Sequence, residues 1–234
     1  MIIGKGTDNI DIELPKSAYD EGKDIDSSTF KAYLIAIVRD SKGNIIQVHR
    51  QKSHSPTSNF IGLILPLTWF NSNNTSYTIT NMGGSTFSYK PALGPGISCI
   101  SYPNIGNNCP TYFAMIQVGS GSQSNPYTAT KLAAPIANGS GTGQLIYEQI
   151  AISPNVAVSG GSAYFYITQT FYNVSGGTIN ITEVGIVIYL IFATAVNCTT
   201  SLGNTLMWYD VLSSPISIPN GGSVVIYYTF TVNP

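Results

Sequence analysis

Charge is what this sequence lacks once its first quarter is past. Of 21 charged residues, 16 lie at or before Pro56, and the remaining 178 residues hold only Lys90, Lys131, Glu148, Glu183 and Asp210. An ordinary domain is charged at about a quarter of its positions, so the surface beyond Pro56 has to be covered by Ser, Thr, Asn, Gln, Gly and Tyr. The net charge of -1 provides no basic field, which excludes nucleic acid as a partner. With few carboxylates to protonate, stability should vary little as pH falls. Copies of such a chain repel one another weakly, which is tolerable where most of the surface is buried against neighbours or covered by sugar. The composition therefore fits an assembly protein or an extracellular one.

Metal-ligand spacing is also lacking. The three cysteines (Cys99, Cys109 and Cys198) and two histidines (His49 and His54) form no C-x-x-C or H-x-x-x-H pair, so neither a metal nor a cofactor is expected. Cys99 and Cys109 flank a Gly/Pro/Asn loop. A disulfide between them would contribute about 3 kcal/mol in the chain-entropy account, and two free thiols are the alternative. No long apolar run exists: the longest uncharged one, Val184 to Val196, spans thirteen residues, short of the roughly 18 a membrane helix needs. The N-terminus has no apolar stretch of signal-peptide length, so Met1 reads as a true start without a secretory leader. Gly119 to Pro126, GSGSQSNP, follows a strand but leads to no helix and no suitably placed lysine, so it does not read as a phosphate cradle.

What is present reads as strand. Phe30 to Arg39 and Asn44 to Lys52 flank a turn at Asp40 to Gly43 and predict a hairpin. Tyr77 to Thr80 and Thr86 to Tyr89 flank Asn81-Met82-Gly83-Gly84 and predict a second. Ala163 to Asn173 and Thr178 to Val196 are joined by Val174-Ser175-Gly176-Gly177 and read as a central third. Further strands are expected over Tyr112 to Val118, Leu145 to Ile152, Leu206 to Val211, Ile216 to Ile218 and Ser223 to Val232. In the last, Val224, Ile226, Tyr228, Phe230 and Val232 form the apolar face. One short helix is expected near Phe60, capped by Ser58 or Asn59, weakened by Gly62 and kinked by Pro66. The fold class is all-β, an antiparallel sandwich of jelly-roll-like topology. Residues 1–28 form an irregular charged arm and 29–234 the sandwich, with a subdivision near 56–75 as the alternative division.

Candidate sites are few. Asn73, Asn74, Asn138, Asn173, Asn180 and Asn197 each begin N-x-[ST], the glycosylation acceptor pattern, which an Asn/Ser/Thr-rich chain also produces by chance. Trp69 and Trp208 are candidate stacking platforms for glycans, with core packing as the plainer reading of both. Glu148 and Glu183 would serve a glycosidase only with carboxyls about 5 to 9.5 Å apart. No catalytic set emerges, and the expectation is a non-enzymatic protein.

The order of several short segments resembles a pattern in structural proteins of tailed phages and archaeal viruses. These are Ile116 to Gly121, Leu132 with Pro135-Ile136, Gly143 to Tyr147, Phe171 to Gly177, Ile181 to Gly185, Asp210 to Ile216 and Gly222 to Val232, together about half the chain. The first hairpin followed by Ser53-His54-Ser55 and Asn59-Phe60 is similar to the start of such proteins. Where that pattern frequently has arginine, this chain has Gln169 and Tyr209, which leaves Glu183 and Asp210 without those partners. The resemblance implies a capsid-vertex, turret, spike or tail component, located in the virion and contacting copies of itself and other virion proteins. The Ile/Tyr/Asn-rich, Lys-poor composition looks like that of a thermoacidophilic archaeal virus. A cell-surface pilus or adhesin subunit, or a spike module that binds host surface glycans, is the alternative.

Overall fold

The computed structural model describes residues 30–53, 56–68, 77–89, 114–148, 150–152, 157–159, 162–194 and 197–232. Residues 1–28, Cys99, Cys109, Trp69, Asn73 and Asn74 lie outside them. The described chain is an all-β protein of antiparallel sheets with one short helix.

The first hairpin forms as the sequence predicts. β1 (Phe30–Arg39) pairs antiparallel with β2 (Ile45–Ser53). Its turn is set by Asp40, whose carboxylate accepts the Lys42 and Asn44 N–H groups and the Asn44 side chain. These bonds, that from the Asn44 side chain first, hold the Asp40 carboxyl below its usual range. Gly43 completes the turn at φ +87, a conformation glycine adopts without steric cost.

A helix, α1 (Ser58–Thr68), follows. Its cap is Thr57 rather than Ser58 or Asn59: Thr57 Oγ1 accepts the Phe60 N–H at 3.5 Å. The second predicted hairpin is β3 (Tyr77–Thr80) with β4 (Thr86–Tyr89). Next come β5 (Ala114–Gly119), a 3-10 turn over Pro126–Thr128, and the short strands β6 (Ile146–Tyr147), β7 (Ala151–Ile152) and β8 (Ala157–Ser159). The chain finishes with β9 (Ser162–Tyr172), β10 (Ile179–Thr194), β11 (Asn197–Ile218) and β12 (Ser223–Val232).

Two sheets face each other. One runs β2-β1-β12-β9, with β6, β7 and β8 on the far edge of β9, and the other runs β11-β10-β5. Alternation sends Ala32, Leu34, Ala36 and Val38 of β1 and Val224, Ile226, Tyr228 and Phe230 of β12 into the gap. There they meet Ile116, Val118, Val184, Ile186, Trp208, Leu212 and Ile216 from the second sheet. Each fully buried aliphatic side chain contributes about 1.5–3 kcal/mol, so this gap is the main source of stability. Of the apolar face expected for β12, Val224, Ile226, Tyr228 and Phe230 are buried in this gap.

The central hairpin expected from β9 and β10 does not form. β9 pairs with β12 on one edge and with β6, β7 and β8 on the other, leaving no edge for β10, which pairs with β5 and β11. Val174 to Gly177 is instead an arch that carries the chain from one sheet to the other. Pro219 to Gly222 makes the reverse crossing beside it. Buried Asn173 joins the two arches, its Nδ2 donating to Gly177 O at 2.7 Å and Ile218 O at 2.8 Å. Its backbone carbonyl accepts the Gly221 N–H at 2.7 Å. A small-residue turn signal between two strands fits a hairpin and an arch alike, and the competition for edges decides between them. The hairpin that does form joins β10 to β11, which absorbs both segments expected over Leu206 to Val211 and Ile216 to Ile218. Its register shifts between Ile181 and Glu183, opposite the stretch ending in Pro215, a residue with no N–H to give to the ladder.

Candidate functional site

Three clusters of polar side chains organise the described residues. The first surrounds Glu183, which is completely buried on β10. Its carboxylate accepts four hydrogen bonds: Oε1 takes the Ala134 N–H at 2.7 Å and the Gly121 N–H at 3.2 Å, and Oε2 takes the Ala133 N–H at 2.9 Å and the Tyr209 hydroxyl at 2.7 Å. Among the described residues no cation takes part. The segment 119–136 folds over this sheet face, seating Ala129 and Leu132 on Val187, Leu206 and Tyr209 as a second small core.

Glycine is required at this site for space. A Cβ on Gly121 would stand 2.7 Å from Ala133 Cβ and 2.9 Å from the Glu183 carboxylate, and one on Gly119 would stand 2.7 Å from Ala134 O. The glycine-rich loop thus does hold an anion, and the anion is the chain's own glutamate. The Tyr209 hydroxyl also accepts the Gln123 N–H at 2.9 Å, and burial, followed by the Glu183 hydrogen bond and charge, pushes its ionisation well above the usual tyrosine range. Tyr209 thus supplies a neutral donor where the resemblance led to an expectation of arginine.

The second cluster lies on the opposite face of the same sheet, between the layers. Asp210 is buried and accepts the Ser53 hydroxyl at 2.5 Å and the Tyr228 hydroxyl at 2.9 Å. Trp208 Nε1 donates to Ser53 Oγ, and the indole packs edge-on against Phe60 and Phe230, each with a centroid distance of 5.3 Å. Burial, reinforced by the Asp210 charge, raises Tyr228 far above its ordinary value. Trp208 is therefore a core residue, only 4% exposed. Nearby, Asn59 bonds Thr80 through both ends of its amide and also donates to Leu206 O, so it fastens α1 to β3 and β11.

The third cluster closes one side of the sandwich. Gln47 Nε2 donates to Pro215 O at 2.9 Å while its Oε1 accepts the Ser217 N–H at 3.0 Å. Gln51 repeats the arrangement with Val211 O at 3.2 Å and the Ser213 N–H at 3.0 Å. Each side-chain amide, reaching across from β2, takes the carbonyl and N–H that a neighbouring strand would otherwise take from β11. His49, between them, contacts Gln51 Oε1 and Ser214 Oγ. On the other side, Gln169 Oε1 accepts the Ile116 N–H at 2.7 Å and its Nε2 donates to Glu148 O at 2.8 Å. Here too a side-chain amide stands where the resemblance led to an expectation of arginine.

Glu148 and Glu183 are not brought together as a solvent-facing pair: Glu148 is exposed beside β9, and every bond of Glu183 is internal. Of the described sequons, Asn138 and Asn180 are exposed, whereas Asn173 is buried with its amide nitrogen engaged by two carbonyls. Asn197 lies at the start of β11. Among the described residues no group of three His, Cys, Asp or Glu side chains could hold a metal ion. No described helix is long and apolar enough to cross a membrane.

The outward face of the four long strands of the first sheet was not singled out in the sequence. Strand alternation places Tyr33, Tyr164, Tyr166 and Tyr227 there, all partly buried, around Thr229 and Thr231. Both threonine hydroxyls are buried without a hydrogen-bond partner among the described residues. Toward β2 the face carries Lys31, Arg39, Arg50 and Lys52, and Ile46 and Val48 are 52% and 57% exposed. No family model, characterised protein or solved structure matches this chain.

Proposed function

We propose that this chain is a non-enzymatic structural subunit of a virion, a capsid-vertex, turret or tail component that assembles through protein–protein contacts, in a virus of a thermoacidophilic archaeon. The observation that carries the reading is the pairing of a self-contained interior with an apolar margin. Asp210, Gln47 and Gln51 bond the protein's own layers together and Glu183 holds the 119–136 segment on its sheet, while Ile45, Ile46 and Val48 stand about half exposed along one edge strand. Clustered exposed aliphatics of this kind mark contact surfaces. The charge-poor sequence and the resemblance described above support the same reading, and the virion is the location it assigns.

Mass spectrometry of purified virions should find this polypeptide in stoichiometric amount, and its absence there would refute the proposal. A glycan-binding spike is the second reading, favoured by the four tyrosines of the outward face rather than by Trp208. Tyr166→Ala and Tyr33→Ala would then abolish binding to host-surface glycans without altering assembly.

A further inference from the structure

We infer that the basic outward face of β1 and β2 receives the acidic segment 1–29 of a neighbouring copy, an inference that rests on the structural-subunit reading above. The argument begins with where charge is left over. After residue 29 the chain has seven cations, and five of them fall between Lys31 and Lys52. Because Ala32, Leu34, Ala36 and Val38 point into the core, Lys31 and Arg39 point outward. The β1–β2 register sets Arg50 opposite Ile35 and Lys52 opposite Tyr33 on the same face.

Lys31, Arg50 and Lys52 have no carboxylate partner among the described residues. The acids that could have balanced them are committed elsewhere. Glu183 and Asp210 are buried, Asp40 is taken up by its own turn, and Glu148 stands across the sheet, its N–H bonded to Thr170 O. The face is therefore positive, and it abuts the exposed Ile46 and Val48.

The complement is elsewhere in the same sequence. Residues 1–29 hold seven acids against three lysines, a formal charge of -4, and in Ile10-Asp11-Ile12-Glu13-Leu14 apolar and acidic residues alternate. An extended segment of that pattern presents aliphatic side chains on one side and carboxylates on the other. It thus matches a surface made of aliphatics and cations. Twenty-nine residues can span about 95 Å when extended. A ten-residue strand covers about 33 Å, so the segment is long enough to pass from one sandwich to the next. Attraction between one acidic segment and one basic face gives a charge-poor protein a directional, head-to-tail contact.

The test exchanges the charges in the full-length chain. One variant carries Lys31→Glu, Arg50→Glu and Lys52→Glu, and the other Asp20→Lys, Glu21→Lys, Asp24→Lys and Asp26→Lys. Sedimentation velocity should show wild-type self-association that weakens with salt. Each variant alone should dissociate at a concentration about tenfold higher or more, and an equimolar mixture of the two should recover the wild-type behaviour. Arg50→Gln with Lys52→Gln, which removes charge without reversing it, should fall between.

Wild-type association in both reversed variants would overturn the inference and leave the structural-subunit reading standing. So would loss in both that mixing does not restore. Rescue only when both sets of changes are placed in one chain would assign the segment to its own face and overturn exchange between copies. A wild-type protein that stays monomeric at every concentration would count against the structural-subunit reading itself.

Discussion

Replacing Glu183 with glutamine changes one oxygen to an amide nitrogen and should destabilise the protein by about 2–3 kcal/mol. The carboxylate accepts four donors, and glutamine keeps only one oxygen. If that oxygen stays with Gly121 and Ala134, the new NH2 group faces the Ala133 N–H, and a buried backbone donor is orphaned at a cost of about 1–3 kcal/mol. Tyr209 could turn to accept from the NH2, but its oxygen already accepts the Gln123 N–H at 2.9 Å, and its own proton then has no acceptor. The surviving bonds also lose charge assistance, which roughly halves their strength. Against these losses, a neutral side chain no longer has to be buried as an anion, and that term keeps the net below the sum of the parts. Glu183→Ala, which strands all four donors, should cost about 4 kcal/mol or more. Urea unfolding followed by tryptophan fluorescence gives the difference. Amide exchange should show the Gly121, Ala133 and Ala134 N–H groups opening about tenfold faster or more, ahead of β1 and β12. A Glu183→Gln protein as stable as wild type, with those amides equally protected, would refute the account of what holds the 119–136 segment in place.

Gln47→Ala with Gln51→Ala removes the four bonds that cover the outer edge of β11. It should cost about 1–3 kcal/mol and, with that edge open, raise the rate of aggregation measured by light scattering. Thr229→Val should stabilise by about 1 kcal/mol by deleting an unpartnered buried hydroxyl. The same change at Thr57, whose hydroxyl donates to Leu206 O at 2.8 Å, should destabilise by about 1–2 kcal/mol. Thermal or urea melts distinguish the two, and equal signs would contradict the hydrogen-bond assignments. At high pH, burial pushes Tyr147 up to about 12 despite an opposing backbone bond to Val118. The fold therefore favours its neutral phenol. That contribution is complete below the unfolded value near 10 and is lost as pH rises through 12, by up to about 2–3 kcal/mol. Tyr209 and Tyr228, also raised chiefly by burial, add to the loss on the alkaline side. A stability curve flat to pH 12 would refute these shifts, and absorbance of the phenolates at each pH identifies which tyrosines have ionised.

The strands were legible because alternation and turn residues report burial directly. β1, β2, β3, β4 and β12 fall where the Val, Ile and Tyr pattern puts them. Which strand pairs with which was less legible, because pairing depends on competition for edges that no local window contains. β9 was claimed by β12 and the short strands, so the Val174 to Gly177 turn became a crossing between sheets. The helix was legible in its apolar run but not in its cap. Thr57 takes that place because its backbone already pairs with Met207, a contact 150 residues away. The outward tyrosine and lysine face was half visible: the concentration of charge before Pro56 was plain in the sequence, but its arrangement on one face required the register of β1 with β2.

Glu183 shows why the polar sites were the hardest to read. A lone acid in an apolar strand is ambiguous between a catalytic group, an interfacial one and a structural one, and its meaning lies with the donors it finds. Those donors come from a glycine-rich loop about 50–60 residues earlier and from Tyr209 on the neighbouring strand. The physical requirement matches that of a phosphate cradle, namely converging N–H groups and no Cβ in the way. A rule built for phosphate also demands a helix and a lysine, since its guest arrives from solvent carrying a larger charge. A guest built into the chain needs neither: one carboxylate is satisfied by three backbone N–H groups and a phenol. This lets the interior hold an anion without drawing on a cation among the described residues, so that Lys31, Arg39, Arg50 and Lys52 stay on the outward face, where the acidic segment is inferred to meet them.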